Sequence, residues 1–260
     1  MAGALREIDL FMVDMDGTFY LGDQLLPGAL DFLRAVEKKG KRAVFLTNNS
    51  SRSNQDYARR MSRFGLCLGR DGVYTSGDAA MAYLRRHFPG RRLLVIGTES
   101  LIYQFTMEHF FLTETDPEVV VLGFDTTLDY GKLTRLCDAV RAGLPYIATH
   151  PDLNCPTENG YIPDIGAVIA FVKAATGREP DAIIGKPYAP IAEELGARFG
   201  VPLERTAMIG DRLYTDIAMG RWGITTALVL TGETKREDLV HSEIRPDHIF
   251  ENIGEIAAEL

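Results

Sequence analysis

The sequence has little cysteine, a single tryptophan, no excess of positive charge and no long apolar run. Cys67, Cys137 and Cys155 are odd in number and far apart, so neither a CxxC pair nor a disulfide framework is expected. Reduced, buried thiols are the expectation. Lysine and arginine total 28 against 36 acidic residues, a formal net charge of −8. Such a chain lacks the positive field that drives general binding to a nucleic-acid polymer or an anionic membrane. No apolar stretch approaches the roughly 20 residues of a membrane span. The first apolar stretch, residues 8–13, is interrupted by Asp9 and is too short and too polar for a signal segment. These absences point to a cytoplasmic protein with neither nucleic acid nor membrane as partner.

What is present suits a globular chain: 46% hydrophobic and 25% charged residues over 260 positions. That length exceeds one domain of ~150 residues and falls short of two, as expected of a core carrying an insertion. Short apolar runs at residues 8–13, 41–46, 93–96, 119–122, 146–148, 182–184, 206–209 and 226–230 read as strands. Helical patterns lie between them at 28–39, 55–64, 132–142, 167–176 and 189–199, with a last one at 253–260. The alternation predicts an α/β fold with a buried, mostly parallel sheet.

Polar residues follow four of these strands. They are Asp14 and Asp16 after the first, Thr47-Asn48-Asn49 after the second, Gly185-Lys186 after the sixth and Gly210-Asp211 after the seventh. Ligands of open α/β sheets bind beyond the carboxyl ends of strands, so these four clusters can converge on one site. The strands between carry no such set. The expected organisation is therefore a catalytic core of residues 1–77 and 181–260, interrupted by an inserted α/β domain at 78–180. Both boundaries, Thr75-Ser76-Gly77-Asp78 and 176–180, read as linkers with turn residues.

In Asp14-Met15-Asp16-Gly17-Thr18 the two acids are two apart, so they face one side of an extended backbone. An EF-hand counted from Asp14 fails, because Phe19 and Leu25 stand where glycine and glutamate belong. Asp211 and Asp216 bring the carboxylates near one point to four. Like charges so close need compensation, and a hard cation such as Mg²⁺, which keeps waters beside few carboxylates and phosphate, supplies it. The Thr47 hydroxyl and the Lys186 ammonium would hold phosphate oxygens and neutralise charge during phosphoryl transfer. Lys186 is not a P-loop lysine, since Pro187 follows it. Of five histidines only His150 stands in an interesting place, and Trp222 is expected in the core.

The set resembles the haloacid dehalogenase superfamily. Asp14-Met15-Asp16-Gly17-Thr18, Leu46-Thr47-Asn48-Asn49, Lys186-Pro187 and Gly210-Asp211 to Asp216 are similar to its four motifs. Within it, Tyr20-Leu21-Gly22, Pro27-Gly28-Ala29, Thr47 to Ser53 and Gly210 to Ile217 resemble the NagD-like, 4-nitrophenylphosphatase branch. The resemblance implies a Rossmann-like core with an α/β cap inserted between the second and third motifs. It implies Asp14 as nucleophile and Asp16 as general acid/base. Thr47, Asn48 and Asn49 would bind the phosphoryl group, and Lys186 would stabilise its charge. Asp14, the Asp16 carbonyl and Asp211 would hold Mg²⁺, with Asp216 beside them. The loop from Thr149 to Pro156 resembles the family's substrate-facing segment, which makes His150 and Asp152 candidate substrate residues. Relatives usually have asparagine where His150 stands.

The expected activity is Mg²⁺-dependent hydrolysis of small phosphomonoesters, such as nucleoside monophosphates, sugar phosphates and 4-nitrophenyl phosphate, through an aspartyl phosphate. The alternatives are a phosphotransferase or phosphomutase, and a phospho-accepting signalling module. In receiver modules two acids are adjacent at the first strand, whereas here they are two apart. If the chain self-associates through the cap, the apolar stretch 105–112 is the expected interface.

Overall fold

The computed structural model describes residues 5–69, 71–157 and 160–260. In chain order the strands are β1 (Leu10–Val13), β2 (Tyr20–Leu21), β3 (Gln24–Leu25), β4 (Arg42–Thr47), β5 (Val73–Thr75), β6 (Arg92–Ile96), β7 (Phe111–Leu112), β8 (Val119–Leu122), β9 (Tyr146–Ala148), β10 (Asn154–Thr157), β11 (Gly160–Pro163), β12 (Ala182–Ile183), β13 (Thr206–Gly210), β14 (Thr225–Val229) and β15 (His248–Phe250). The helices are α1 (Ala29–Lys38), α2 (Asn54–Arg63), α3 (Ser76–His87), α4 (Glu99–Met107), α5 (Tyr130–Arg141), α6 (Ile165–Thr176), α7 (Ala189–Phe199), α8 (Asp238–His241) and α9 (Ile253–Ile256). The α/β expectation holds.

The chain divides into two compact units. One comprises Met1–Thr47, Arg60–Tyr74 and Ala192–Leu260; the other comprises Asn48–Arg59 and Thr75–Ile191.

The first unit is built on a six-stranded sheet in the order β15-β14-β13-β1-β4-β5. β1 runs parallel to both β4 and β13, and β14 is parallel to β13 and β15. All residues of β1, β13 and β14 are buried, which explains why these strands read as continuous apolar runs rather than alternating ones. Helix α1 turns Ala29, Phe32 and Val36 inward at helical spacing. Phe32 meets Phe11 of β1 edge to face at 5.7 Å, and burying each ring stabilises the unit by about 1.5–3 kcal/mol.

The second unit holds a five-stranded sheet in the order β12-β9-β8-β6-β7, all its pairs parallel. Its core joins Leu94, Ile96, Val120 and Leu122 to Leu136 and Val140 of α5 and to Ile165 and Val172 of α6. β10 and β11 form a separate antiparallel hairpin.

Several expectations need correction. The strand that leads to Lys186 pairs with β9 and so belongs to the second sheet, not to the sheet that carries Asp14. The tetrapeptide read as a linker starts helix α3: the Thr75 hydroxyl accepts from the Asp78 N–H and the Asp78 carboxylate accepts from the Thr75 N–H. Polar residues that signal a turn equally signal a capping box. Trp222 is 37% exposed rather than core. Of the thiols only Cys137 is buried, while Cys67 is exposed. Within 105–112, Phe105 is buried, and Met107 and Phe111 are exposed. Among the described residues no helix is long and apolar enough to cross a membrane.

Candidate active site

In the first unit the site starts from strand register. Val13 at the end of β1 lies opposite Ile209 of β13, and the Asp14 N–H donates to the Ile209 carbonyl at 2.8 Å. Asp14 therefore leaves its strand beside Gly210-Asp211. On the other side Val13 pairs with Phe45 of β4, which places buried Thr47 at the same sheet edge. The outcome is a cluster in which ligand oxygens of Asp14, Asp211 and Asp216 all lie within 4.8 Å of one another.

Asp211 is held from several directions. The Thr18 hydroxyl donates to its Oδ1 at 3.2 Å and the Glu233 N–H to its Oδ2 at 2.6 Å. The Thr234 N–H reaches its main-chain carbonyl. Burial first, and then the neighbouring Asp216 charge, push its carboxyl up to about 6. Asp216 accepts from the Arg212 N–H at 3.1 Å, which folds the acidic segment back on itself.

Two glycines make this closeness possible. Gly17 has φ +87°, and a Cβ there would fall 2.8 Å from Asp211 Oδ2. A Cβ on Gly210 would fall 2.3 Å from Asp216. Asp16 is partly exposed and accepts from the Tyr20 hydroxyl at 3.3 Å. The loop 231–234 was missed in the sequence, although Thr231 donates to the Gly17 carbonyl at 2.7 Å and Glu233 holds Asp211. Its only signal was a Thr-Gly-Glu turn after an apolar strand, the same signal that had marked Gly210-Asp211.

The remaining candidates lie in the second unit. Lys186 is 2% exposed, far from the surface charge its residue type suggests. The Asn48 side chain bonds both the N–H and the carbonyl of Lys186, and also Asp152. Asn49 is half-buried and accepts from the Ser51 hydroxyl. His150 is fully buried, its Nε2 2.9 Å from Asp164 Oδ1 and its Nδ1 facing the hydroxyls of Thr149 and Ser76. Asp164 also caps α6 through the Ile165 N–H. The group His150, Asp152 and Asp164 is thus tied into the packing of its own unit.

The donor set of the first unit is all oxygen, anionic and mostly buried, which fits a hard divalent cation. Such a cation would offset both the burial and the Asp216 charge that raise Asp211.

Known proteins resemble this chain in sequence and fold. A model of haloacid dehalogenase-like hydrolases matches residues 11–110, and a HAD-hydrolase-like model matches residues 183–256. A 4-nitrophenylphosphatase from Thermotoga maritima is 47% identical, with a TM-score of 0.96 over 98% of either chain. The 5'-nucleotidase YutF of Bacillus subtilis is 31% identical over 94% of this chain and 96% of its own. A glycerol phosphate phosphatase from Mycobacterium tuberculosis, solved in complex with magnesium, is 32% identical with a TM-score of 0.88, covering 97% of this chain and 78% of that one. The chain belongs to the haloacid dehalogenase-like hydrolases, in their NagD-like branch. It is a phosphoric monoester hydrolase of that metal-dependent family.

Proposed function

We propose that the protein is a Mg²⁺-dependent phosphatase of small phosphomonoesters that works through an aspartyl phosphate. The observation that carries this reading is the convergence of Asp14, Asp211 and Asp216 beyond the ends of β1 and β13. Asp14, the Asp16 carbonyl and Asp211 would hold Mg²⁺, with Asp216 beside them. Bound there, the ion would neutralise phosphate charge and offset the crowded carboxylates.

The Asp14 carboxylate attacks phosphorus, and the bond to the leaving oxygen breaks as that oxygen takes a proton from Asp16. Asp16 then removes a proton from the water that cleaves the aspartyl phosphate, freeing phosphate and Asp14. The hydrogen bond from Tyr20 orients Asp16 for both transfers. Thr47 and the backbone N–H groups of the segment after it bind phosphoryl oxygens, the Asn48 side chain being committed to Lys186 and Asp152, and Lys186 neutralises the charge that develops on them.

The unit built on residues 78–180 forms the cap that selects substrate, with the loop from Thr149 to Pro156 acting on the leaving group and the buried His150 holding that loop through Asp164. Nucleoside monophosphates, sugar phosphates and 4-nitrophenyl phosphate are the substrate class. The relatives' own substrates and the negative charge of the chain support small esters, and the three free cysteines support a reducing, cytoplasmic site of action.

Phosphate release from a panel of metabolite phosphates tests the proposal. Turnover should require Mg²⁺, vanish with EDTA and fail in Ca²⁺, whose looser shell would let both Asp14 oxygens bind the ion and leave no free nucleophile. Full turnover in EDTA, or none of any ester in Mg²⁺, would overturn it.

A further inference from the structure

We propose that Asn48 is a positioning residue whose carboxamide sets the backbone of Lys186. This rests on the reading of Lys186 as the group that neutralises phosphoryl charge. The Asn48 Oδ1 accepts from the Lys186 N–H at 2.8 Å, and Nδ2 donates to the Lys186 carbonyl at 3.0 Å. One side chain thus grips both polar groups of a single residue 138 positions away. The second Nδ2 proton goes to Asp152 Oδ1 at 2.9 Å. Both amide protons are then committed, and none remains for a ligand.

Asp152 sets the sense of the grip. Turning the amide over would aim Oδ1 at a carboxylate and a carbonyl oxygen, and Nδ2 at an N–H. All three residues are buried, at 5%, 2% and 6% exposure, so a mispaired group here has no water to fall back on.

The surroundings are built around this contact. The Ser76 hydroxyl donates to the Asn48 main-chain carbonyl. The Gly185 N–H donates to the Thr149 carbonyl at 2.7 Å, which draws the chain before Lys186 against its neighbours. A Cβ on Gly185 would fall 2.6 Å from Asn48 Oδ1 and 2.8 Å from the Thr149 carbonyl oxygen. Glycine is therefore required for Asn48 to reach the Lys186 peptide. Asn48 and the pair Gly185-Lys186 act as one device, in which the asparagine works through the lysine.

A double-mutant cycle on 4-nitrophenyl phosphate turnover tests this, with melting curves on each variant. Asn48→Ala should lower kcat by about 10²-fold, the scale of an ångström of misplacement, while KM moves only a few-fold. Lys186→Ala should lower kcat further, and the double variant should equal Lys186→Ala alone, since there is nothing left to position. Gly185→Ala should reproduce the Asn48→Ala effect. If Asn48→Ala does not fold, Asn48→Asp keeps the shape but turns an acceptor on the Lys186 carbonyl and Asp152, and it enters the same cycle. A double variant worse than Lys186→Ala by the full Asn48 factor overturns the proposal, as does wild-type kcat in the Asn48 variant. Wild-type kcat in Lys186→Ala alone strikes the underlying role of the lysine instead, and it is seen without any Asn48 variant.

Discussion

Competition between Mg²⁺ and protons offers the most direct test of the acidic cluster. Two unit charges 4.8 Å apart repel by roughly 3.5 kcal/mol at an effective dielectric of ~20. In the free protein burial first, and then this repulsion from Asp216, make Asp211 hold its proton up to about 6, against 3.8 for an ordinary aspartate. Its contribution to folding is therefore complete below 3.8 and is lost as pH rises through about 6. Mg²⁺ reverses the balance, because it binds only the ionised form. At pH 5, one unit below that pKa, about nine in ten Asp211 carboxyls are protonated, so the apparent Kd for Mg²⁺ should be about tenfold weaker than at pH 7. At a hundred times Kd, the ion adds about 2.7 kcal/mol of stability, roughly 5–10 °C in Tm for a chain of this size. Calorimetric titration of the substrate-free protein at the two pH values, with melting curves, measures both quantities. Asp211→Asn should bind weakly and without pH dependence. Equal Kd at pH 5 and pH 7 in the unaltered protein would refute the assignment of Asp211 as a buried metal ligand.

Two further outcomes concern the same unit. Asp16→Asn should lower turnover of an alkyl phosphate by about 10²–10⁴-fold, yet with 4-nitrophenyl phosphate it should release up to one equivalent of nitrophenol and accumulate phosphoenzyme. Asp14→Asn should do neither, and phosphoenzyme in that variant on quench-flow would show the nucleophile to be elsewhere. Gly17→Ala should cost about 1–3 kcal/mol for its left-handed backbone alone, and its Cβ should also displace Asp211 and weaken Mg²⁺. Unchanged Tm and Mg²⁺ Kd would refute that packing.

The sequence by itself determined the nature of the fold and pointed to Asp14, Asp211 and Asp216, three of the four acids expected to meet. Buried parallel strands read as plain apolar runs, and acids placed just after β1 and β13 declare themselves by position, because both signals are local. The spacing of Asp14 and Asp16, and the run from Gly210 to Asp216, needed no knowledge of distant contacts. Tertiary structure alone decided which strands share a sheet. β12 looks like its neighbours in composition, and only its pairing with β9 separates it from the sheet that carries Asp14. It also decided which groups Asn48 meets, because an amide's partners depend on what folding brings to it, and here they come from Asp152 and Lys186. The same holds for the grip of loop 231–234 on Asp211 and for the enclosure of His150. Hydrogen-bond partners brought together by folding leave no periodicity along the chain, so residue type and spacing could point to these positions without assigning their work.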